Sequence, residues 1–91
     1  MIFRDDYGVY VCSHVFKNTR PILESVRDED GSWQFLCGVE GCLDEGGPHL
    51  VGVGHLIARD PSINELIVLN LGMYAERASD TSKWEFGTLD N

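Results

Sequence analysis

The residues of this sequence with the clearest capacity for chemistry are its cysteines and histidines. Cys12 and His14 lie two positions apart, and Cys37 and Cys42 lie five apart. Thiolate sulfur and imidazole nitrogen are the ligands that Zn²⁺ prefers in tetrahedral sites. The spacings differ from the common zinc motifs, whose paired cysteines lie about two to four residues apart. Two interpretations are open: a small zinc-binding protein that uses Cys12, His14, Cys37 and Cys42, or cysteines packed in the core, where free cysteine is most often found.

Nucleophilic catalysis by a cysteine beside a histidine is the second chemistry to consider. The chain has 3 cysteines and 3 histidines, which offer many pairs, and no catalytic motif marks any of them. A reactive thiol needs an electropositive setting. Cys42 instead has Glu40, Asp44 and Glu45 as sequence neighbours, and carboxylates raise the pKa of a thiol. We therefore expect a protein that is not an enzyme, with no catalytic residues and no cofactor.

The charge of the chain limits its partners. The 15 acidic residues against 7 basic ones give a formal net charge of -8. Nucleic acids and anionic membranes are bound by clustered lysine and arginine, so we expect neither as a partner. The acids concentrate in a turn and in a loop, at Asp28, Glu29, Asp30, Glu40, Asp44 and Glu45. They are interpreted either as contacts for a basic partner or as solvated turn residues.

The length of 91 residues predicts a single domain over residues 1–91. No apolar run approaches the roughly 20 residues of a membrane helix. Acidic residues stand where a signal peptide would have its apolar stretch. The odd count of 3 cysteines does not suit a secreted disulfide framework and fits a reducing compartment. We expect a cytoplasmic protein.

Strand patterns dominate the first half of the chain. Residues 8–16 are rich in β-branched and aromatic side chains and predict a strand. Residues 22–37 predict an antiparallel hairpin, because Asp30 and Gly31 form a turn signal between two apolar runs. Residues 38–48 predict an acidic, glycine-rich loop.

Helical patterns follow that loop. The spacing of apolar residues predicts two short helices, at residues 50–59 and 61–69. Asp60 and Pro61 are a favoured N-cap and first position, so they predict the start of the second helix. Gly72 is expected to end this segment in a left-handed conformation.

The last part of the chain returns to strands. Residues 73–78 and 83–86 predict two strands joined by a polar turn. Arg77 is expected to pair with a carboxylate and to fix a strand to the helices. The order of elements predicts an α+β domain, with a mainly antiparallel sheet of about five strands and two short helices on one face.

Several blocks of the sequence resemble a family of small bacterial domains of unknown function. In order, they are Cys12-Ser13-His14-Val15-Phe16, Arg20-Pro21-Ile22-Leu23, Asp30-Gly31-Ser32-Trp33-Gln34-Phe35-Leu36-Cys37-Gly38, His55-Leu56, Arg59-Asp60-Pro61, Leu69-Asn70-Leu71-Gly72, Ala75-Glu76-Arg77 and Trp84. Some relatives of this family are grouped with the immunity proteins of bacterial polymorphic-toxin systems. The resemblance implies a protein that binds and neutralises a cognate toxin without catalysing a reaction.

The preferred interpretation is therefore a non-enzymatic protein-binding domain, an immunity protein whose partner is a cognate basic toxin. Its contacts are predicted to be the acidic residues Asp28, Glu29, Asp30, Glu40, Asp44 and Glu45. The first alternative is the small zinc-binding protein described above. The second alternative is a homodimeric interaction module that pairs through exposed strand edges.

Overall fold

The computed structural model of the chain describes residues 6–44 and 46–89. These residues fold into a six-stranded sheet with short helices. The strands are β1 (Gly8–Val11), β2 (Glu24–Arg27), β3 (Trp33–Leu36), β4 (His49–Gly52), β5 (Met73–Glu76) and β6 (Glu85–Thr88). The helices are α1 (Ser13–Phe16), α2 (Val53–Arg59) and a 3₁₀ helix at Pro61–Val68. The α+β class is confirmed, with one strand more than the sequence predicted.

The strands are ordered β4-β1-β3-β2-β5-β6 across the sheet. Neighbouring strands are antiparallel except for β1 and β3, which are parallel. Parallel neighbours end at the same edge of a sheet. The ends of β1 and β3 therefore lie side by side, although α1 and β2 separate them in sequence.

The core lies against one face of the sheet. It is formed by alternate residues of the strands together with residues of α2 and the 3₁₀ helix, including Val9, Val11, Phe35, Ala75, Val53, Leu56, Ile63 and Leu66. Alternate side chains of a strand point to opposite faces. Tyr10 and Leu50 point to the other face, where both are exposed. The sheet thus has a covered face and an open face.

Two local predictions are confirmed. β2 and β3 form the predicted antiparallel hairpin, and Gly31 in its turn has φ +94°, a conformation that glycine adopts without steric cost. The side chain of Asp60 accepts a hydrogen bond of 3.1 Å from the backbone N–H of Ser62. It caps the 3₁₀ helix, in which Pro61 occupies the first position.

The predicted strand over residues 8–16 is wrong in its second half, because β1 is followed by the helical turn α1. A Schellman arrangement ends this turn. The N–H of Thr19 donates to the carbonyl of His14 (2.9 Å), and the N–H of Asn18 donates to that of Val15 (3.0 Å). Asn18 has φ +59°, which asparagine tolerates better than most residues. Apolar alternation misses the turn, since Val15 is buried in the core as a strand residue would be.

The predicted helix over residues 50–59 is wrong in its first turn. Residues His49–Gly52 form β4, which pairs with β1 along its whole length, and α2 begins at Val53. The cause is tertiary. Backbone groups along the edge of β1 need hydrogen-bond partners, and an extended segment supplies them. The second predicted helix exists as the 3₁₀ helix. No helix within the described ranges is long and apolar enough to cross a membrane.

The pairing of Arg77 with a carboxylate is confirmed, and the pair is largely buried. The Arg77 side chain is 1% exposed and forms an ion pair with Asp60. It donates to the carbonyl of Ile22 from Nε (3.0 Å) and Nη2 (2.8 Å), and to Oγ of Ser62 from Nη1 (2.9 Å). Its guanidinium carbon lies 4.1 Å from the ring centroid of Trp84. Arg77 thereby fixes the chain after β5 to the start of the 3₁₀ helix, as the sequence predicted.

Candidate metal centre

The parallel pairing of β1 with β3 assembles the cysteines. Cys12 directly follows β1, and Cys37 directly follows β3. Val11 is in register with Phe35, so the residues after them leave the sheet next to each other. His14 lies within the helical turn that begins at Cys12. This turn, which the sequence did not predict, places the imidazole beside both thiols.

Cys12, His14 and Cys37 place their ligand atoms within 4.8 Å of one another. The Nδ1 atom of His14 is 3.5 Å from Sγ of Cys37. Both cysteines are buried, and His14 is half-buried. A tetrahedral zinc site with bonds of about 2.0–2.3 Å has ligand atoms about 3.4–3.8 Å apart, so a contraction of about 1 Å would bring these atoms to coordinating positions.

Cys42 approaches the cluster from the glycine-rich loop. Gly41 has φ +76°, and the N–H of Cys42 donates to the carbonyl of Val39 (3.1 Å). This tight turn directs the chain back towards the sheet. The thiol of Cys42 is buried and interacts electrostatically with Cys12 and Cys37, but its sulfur is not among the ligand atoms that lie within 4.8 Å of one another. The structure therefore brings together three of the four residues that the sequence offered as zinc ligands, with Cys42 buried beside them.

The thiols of the cluster differ in their tendency to ionise. Burial opposes ionisation of Cys12, but backbone N–H groups of Val15 and Cys37 and the neighbouring thiols donate to its sulfur, so its pKa lies below the ordinary cysteine value. Burial and the negative charge of Cys12 raise the pKa of Cys42 to about 12. Cys12 therefore ionises more readily than Cys42. A bound divalent cation would stabilise several thiolates at once.

The remaining histidines have other positions. His49 in β4 stacks on Phe16, with ring centroids 4.2 Å apart and an interplanar angle of 7°. Its Nε2 atom lies 3.3 Å from Oγ of Ser13. His49 thus holds α1, which carries His14, against the sheet. His55 is exposed on α2 and is not part of the ligand cluster formed by the described residues.

The acidic residues predicted as partner contacts fall into two separate groups. The hairpin turn before β3 carries Asp28, Glu29 and Asp30, and the loop after β3 carries Glu40 and Asp44. The groups therefore lie towards opposite ends of this strand. Glu45 lies outside the described residues.

Two of the hairpin acids take part in the turn itself. Asp30 accepts hydrogen bonds from the hydroxyl and the backbone N–H of Ser32, which hold its pKa below the ordinary aspartate value. The carboxylate of Asp28 accepts a hydrogen bond of 2.7 Å from Nε2 of Gln34. These contacts explain why acids occur in the turn. Their role as partner contacts stays a prediction.

Sequence reasoning missed another acidic group, on the open face. Glu24 is in register with Glu76, and Glu76 is in register with Glu85. No local pattern signals this group, because its members are far apart in sequence. The register of β2, β5 and β6 alone brings them into one row.

Comparisons of the chain with protein-family models, with curated proteins and with solved structures gave no match. What the molecule does is therefore inferred from its ligand cluster and its surface. The cluster offers two soft sulfur atoms and one imidazole nitrogen, with a third thiol, that of Cys42, buried nearby, a donor set suited to zinc.

Proposed function

We propose that this protein is a zinc-binding domain in which Cys12, His14, Cys37 and Cys42 hold one Zn²⁺. The observation that carries the proposal is the convergence of thiols and an imidazole from separate segments of the chain. Cysteines that only fill a core do not require an imidazole among them. Four protein ligands of this kind are typical of structural zinc sites, which leave no coordination position for a substrate. The site is therefore structural rather than catalytic.

The proposed metal stabilises a part of the chain that lacks regular structure. The described residues between β3 and β4 form turns but no helix or strand. Metal bonds through Cys37 and Cys42 would close this loop against the ends of β1 and β3. Because such a site does not exist in the unfolded chain, its binding energy contributes to folding. The thiols must stay reduced for this role, which fits the cytoplasm.

Native mass spectrometry tests the proposal directly. The protein is purified under reducing conditions without chelator, and one zinc per chain is expected. Cys12→Ser and Cys37→Ser are expected to lose the metal. His55→Gln is the matched control, because it removes an exposed imidazole outside the cluster. Wild-type protein that takes up no zinc from an equimolar solution would overturn the proposal and assign the cysteines to core packing.

Thermal unfolding adds a second measurement. A ligand present at about 100 times its dissociation constant stabilises a folded protein by roughly 2.7 kcal/mol. A chelator is therefore expected to lower the unfolding temperature of the wild-type protein. The chelator is expected to leave the unfolding temperature of Cys37→Ser unchanged, since this variant has no bound metal to lose. An equal effect on both proteins would show that the chelator acts elsewhere.

The immunity role implied by the family resemblance is a separate prediction about the surface. Co-expression with a toxin encoded beside this gene tests it, with survival of the cells as the readout. Replacement of Asp28, Glu29 and Glu40 by lysine is expected to abolish protection if these acids contact a basic toxin. Protection that survives all the replacements would remove them as contacts. The native mass spectra also distinguish a monomer from the predicted homodimer.

A further inference from the structure

We propose that the open face of the sheet docks a second protein, one that presents aliphatic side chains together with lysine or arginine. This proposal does not depend on metal binding. It rests on two rows of side chains that run across the strands: an apolar row and, beside it, an acidic row. Each row is defined by the strand register.

The apolar row crosses the whole sheet. The register aligns residues of the six strands in one line, in the order Leu50, Tyr10, Gln34, Val26, Tyr74 and Gly87. At the β4 end, the side chains of Leu50 and Tyr10 are 66% and 40% exposed. α2 and the 3₁₀ helix bury their apolar residues in the core on the opposite face. The remaining members of the row are half-buried: Gln34, Val26, Tyr74 and Gly87. Exposed apolar side chains such as Leu50 and Tyr10 are characteristic of a surface that another molecule covers.

The other end of the row is shaped by a close contact between an aromatic ring and a glycine. A Cβ atom built on Gly87 would lie 2.6 Å from Cζ and Oη of Tyr74. A larger residue at position 87 would therefore force the ring of Tyr74, which lies over the edge strand β6, to shift. The ring is half-buried and held in place, so a partner meets an ordered aromatic surface.

The acidic row runs beside the apolar row, two residues away from it on each of β2, β5 and β6. It consists of Glu24, Glu76 and Glu85, each opposite the next. Like charges directly opposite each other destabilise a sheet. Burial, together with the charge of Glu76, raises the pKa of Glu24. The carboxylates of the row therefore repel one another, and nearby cations would reduce this repulsion.

The carboxylates of this row have no cationic partner among the described residues. Arg77 borders the same depression as the acidic row, but its guanidinium is engaged by Asp60 and the carbonyl of Ile22. Within residues 6–44 and 46–89, no ion pair is formed by the carboxylates of the row. Lysine or arginine of a partner is the remaining source of positive charge.

The charges favour a basic partner over a second copy of this chain. Each copy has a formal net charge of -8, so self-association would bring further carboxylates towards the row. A lysine or arginine side chain can lay its alkyl stem on the apolar row and place its charge at the acidic row. Aliphatic side chains beside it would cover Tyr10 and Leu50, and opposite potentials would fix the orientation.

Titration with synthetic peptides tests this surface, followed by the amide NMR shifts of the protein. The probe is a peptide of alternating lysine and valine. Equally long peptides of lysine and serine, and of glutamate and valine, are the controls. The lysine-valine peptide is expected to bind more tightly than both and to shift the amides of Tyr10, Leu50 and Tyr74. Equal binding of the lysine-serine peptide, or shifts confined to other surfaces, would overturn the proposal.

Variants separate a docking surface from general attraction to an acidic protein. Glu76→Gln is expected to weaken binding about two- to five-fold, the equivalent of one exposed ion pair. Glu65→Gln is the matched control, because it removes the same charge from the 3₁₀ helix and is expected to change nothing. Equal weakening by both variants would refute the assigned surface. A dimer in sedimentation that Leu50→Ser dissociates would replace the basic partner with a second copy.

Discussion

Replacement of Arg77 by methionine is expected to be among the most destabilising single changes in this protein. The side chain follows β5 and is 1% exposed. Methionine keeps much of the aliphatic stem, but it removes the guanidinium that lies over Trp84. The change therefore tests the polar contacts more than it tests a loss of volume.

The magnitude follows from the groups left behind. The carboxylate of Asp60 would lose its ion-pair partner, and the carbonyl of Ile22 would lose both donated hydrogen bonds. Removing one partner of a buried pair costs about 3–5 kcal/mol. The lower end of this range is expected here, because the Asp60 side chain is 23% exposed and keeps its hydrogen bonds from Ser62. Domains have a free energy of unfolding of roughly 0.05–0.15 kcal/mol per residue. For 91 residues, this gives a total of about 5–14 kcal/mol, of which Arg77→Met removes a large share.

Urea unfolding of four proteins measures this effect: wild type, Arg77→Met, Asp60→Asn and the double variant. The double variant is expected to be less destabilised than the sum of the single changes, because the first change already breaks the pair. Arg77→Lys is expected to recover only part of the loss, since an ammonium cannot reproduce the planar guanidinium over Trp84 and its several directed donors. A loss below about 1 kcal/mol for Arg77→Met, the size of a surface pair, would refute the reasoning.

Three further predictions concern single positions. Burial opposes ionisation of Asp60, but hydrogen bonds from Ser62 and the charge of Arg77 outweigh this effect and lower the pKa of the carboxyl. The contribution of Asp60 to the free energy of unfolding is therefore fully present above the ordinary aspartate pKa. This contribution is lost as the pH falls through the lowered pKa. Asp60→Asn should accordingly unfold with a smaller acid dependence in urea, and an unchanged dependence would contradict this. The hydroxyl of Ser25 is buried without a hydrogen-bond partner among the described residues, so Ser25→Ala is expected to leave the free energy of unfolding unchanged or raise it by about 1 kcal/mol. A loss of stability in the same assay would show that the hydroxyl has a partner. Gly87→Ala is expected to lower the free energy of unfolding by about 1–3 kcal/mol, because the ring of Tyr74 must move. The loss should be smaller when the same change is made in a Tyr74→Ala background.

The sequence was informative wherever a short segment decides its own conformation. The hairpin turn with Gly31 and the cap at Asp60 are of this kind, because glycine tolerates positive φ and an aspartate side chain can accept from the next turn. The α+β class also followed from the order of apolar patterns. The spacing of Cys12 and His14 identified candidate ligands, although not the conformation that joins them.

Other local patterns were compatible with two conformations, and the tertiary structure selected one. Residues 50–52 have the apolar spacing of a helix, but the unpaired edge of β1 draws them into β4. The chain after β1 has the apolar composition of a strand, but it turns into α1 where burial of Val15 and the Asn18 cap favour a helical turn. Side-chain composition is the same in both cases, so sequence alone does not distinguish them.

The ligand cluster and the open face show where tertiary structure was decisive. From composition and spacing, the sequence identified the cysteines and the histidine that carry candidate ligand atoms, and it determined how acidic the protein is. The parallel pairing of β1 and β3 decided that Cys12, His14 and Cys37 meet. The register of distant strands decided that Glu24, Glu76 and Glu85 form one row. Both depend on contacts between residues far apart in the chain, which form because separate segments must bury their apolar faces and pair their backbone groups together.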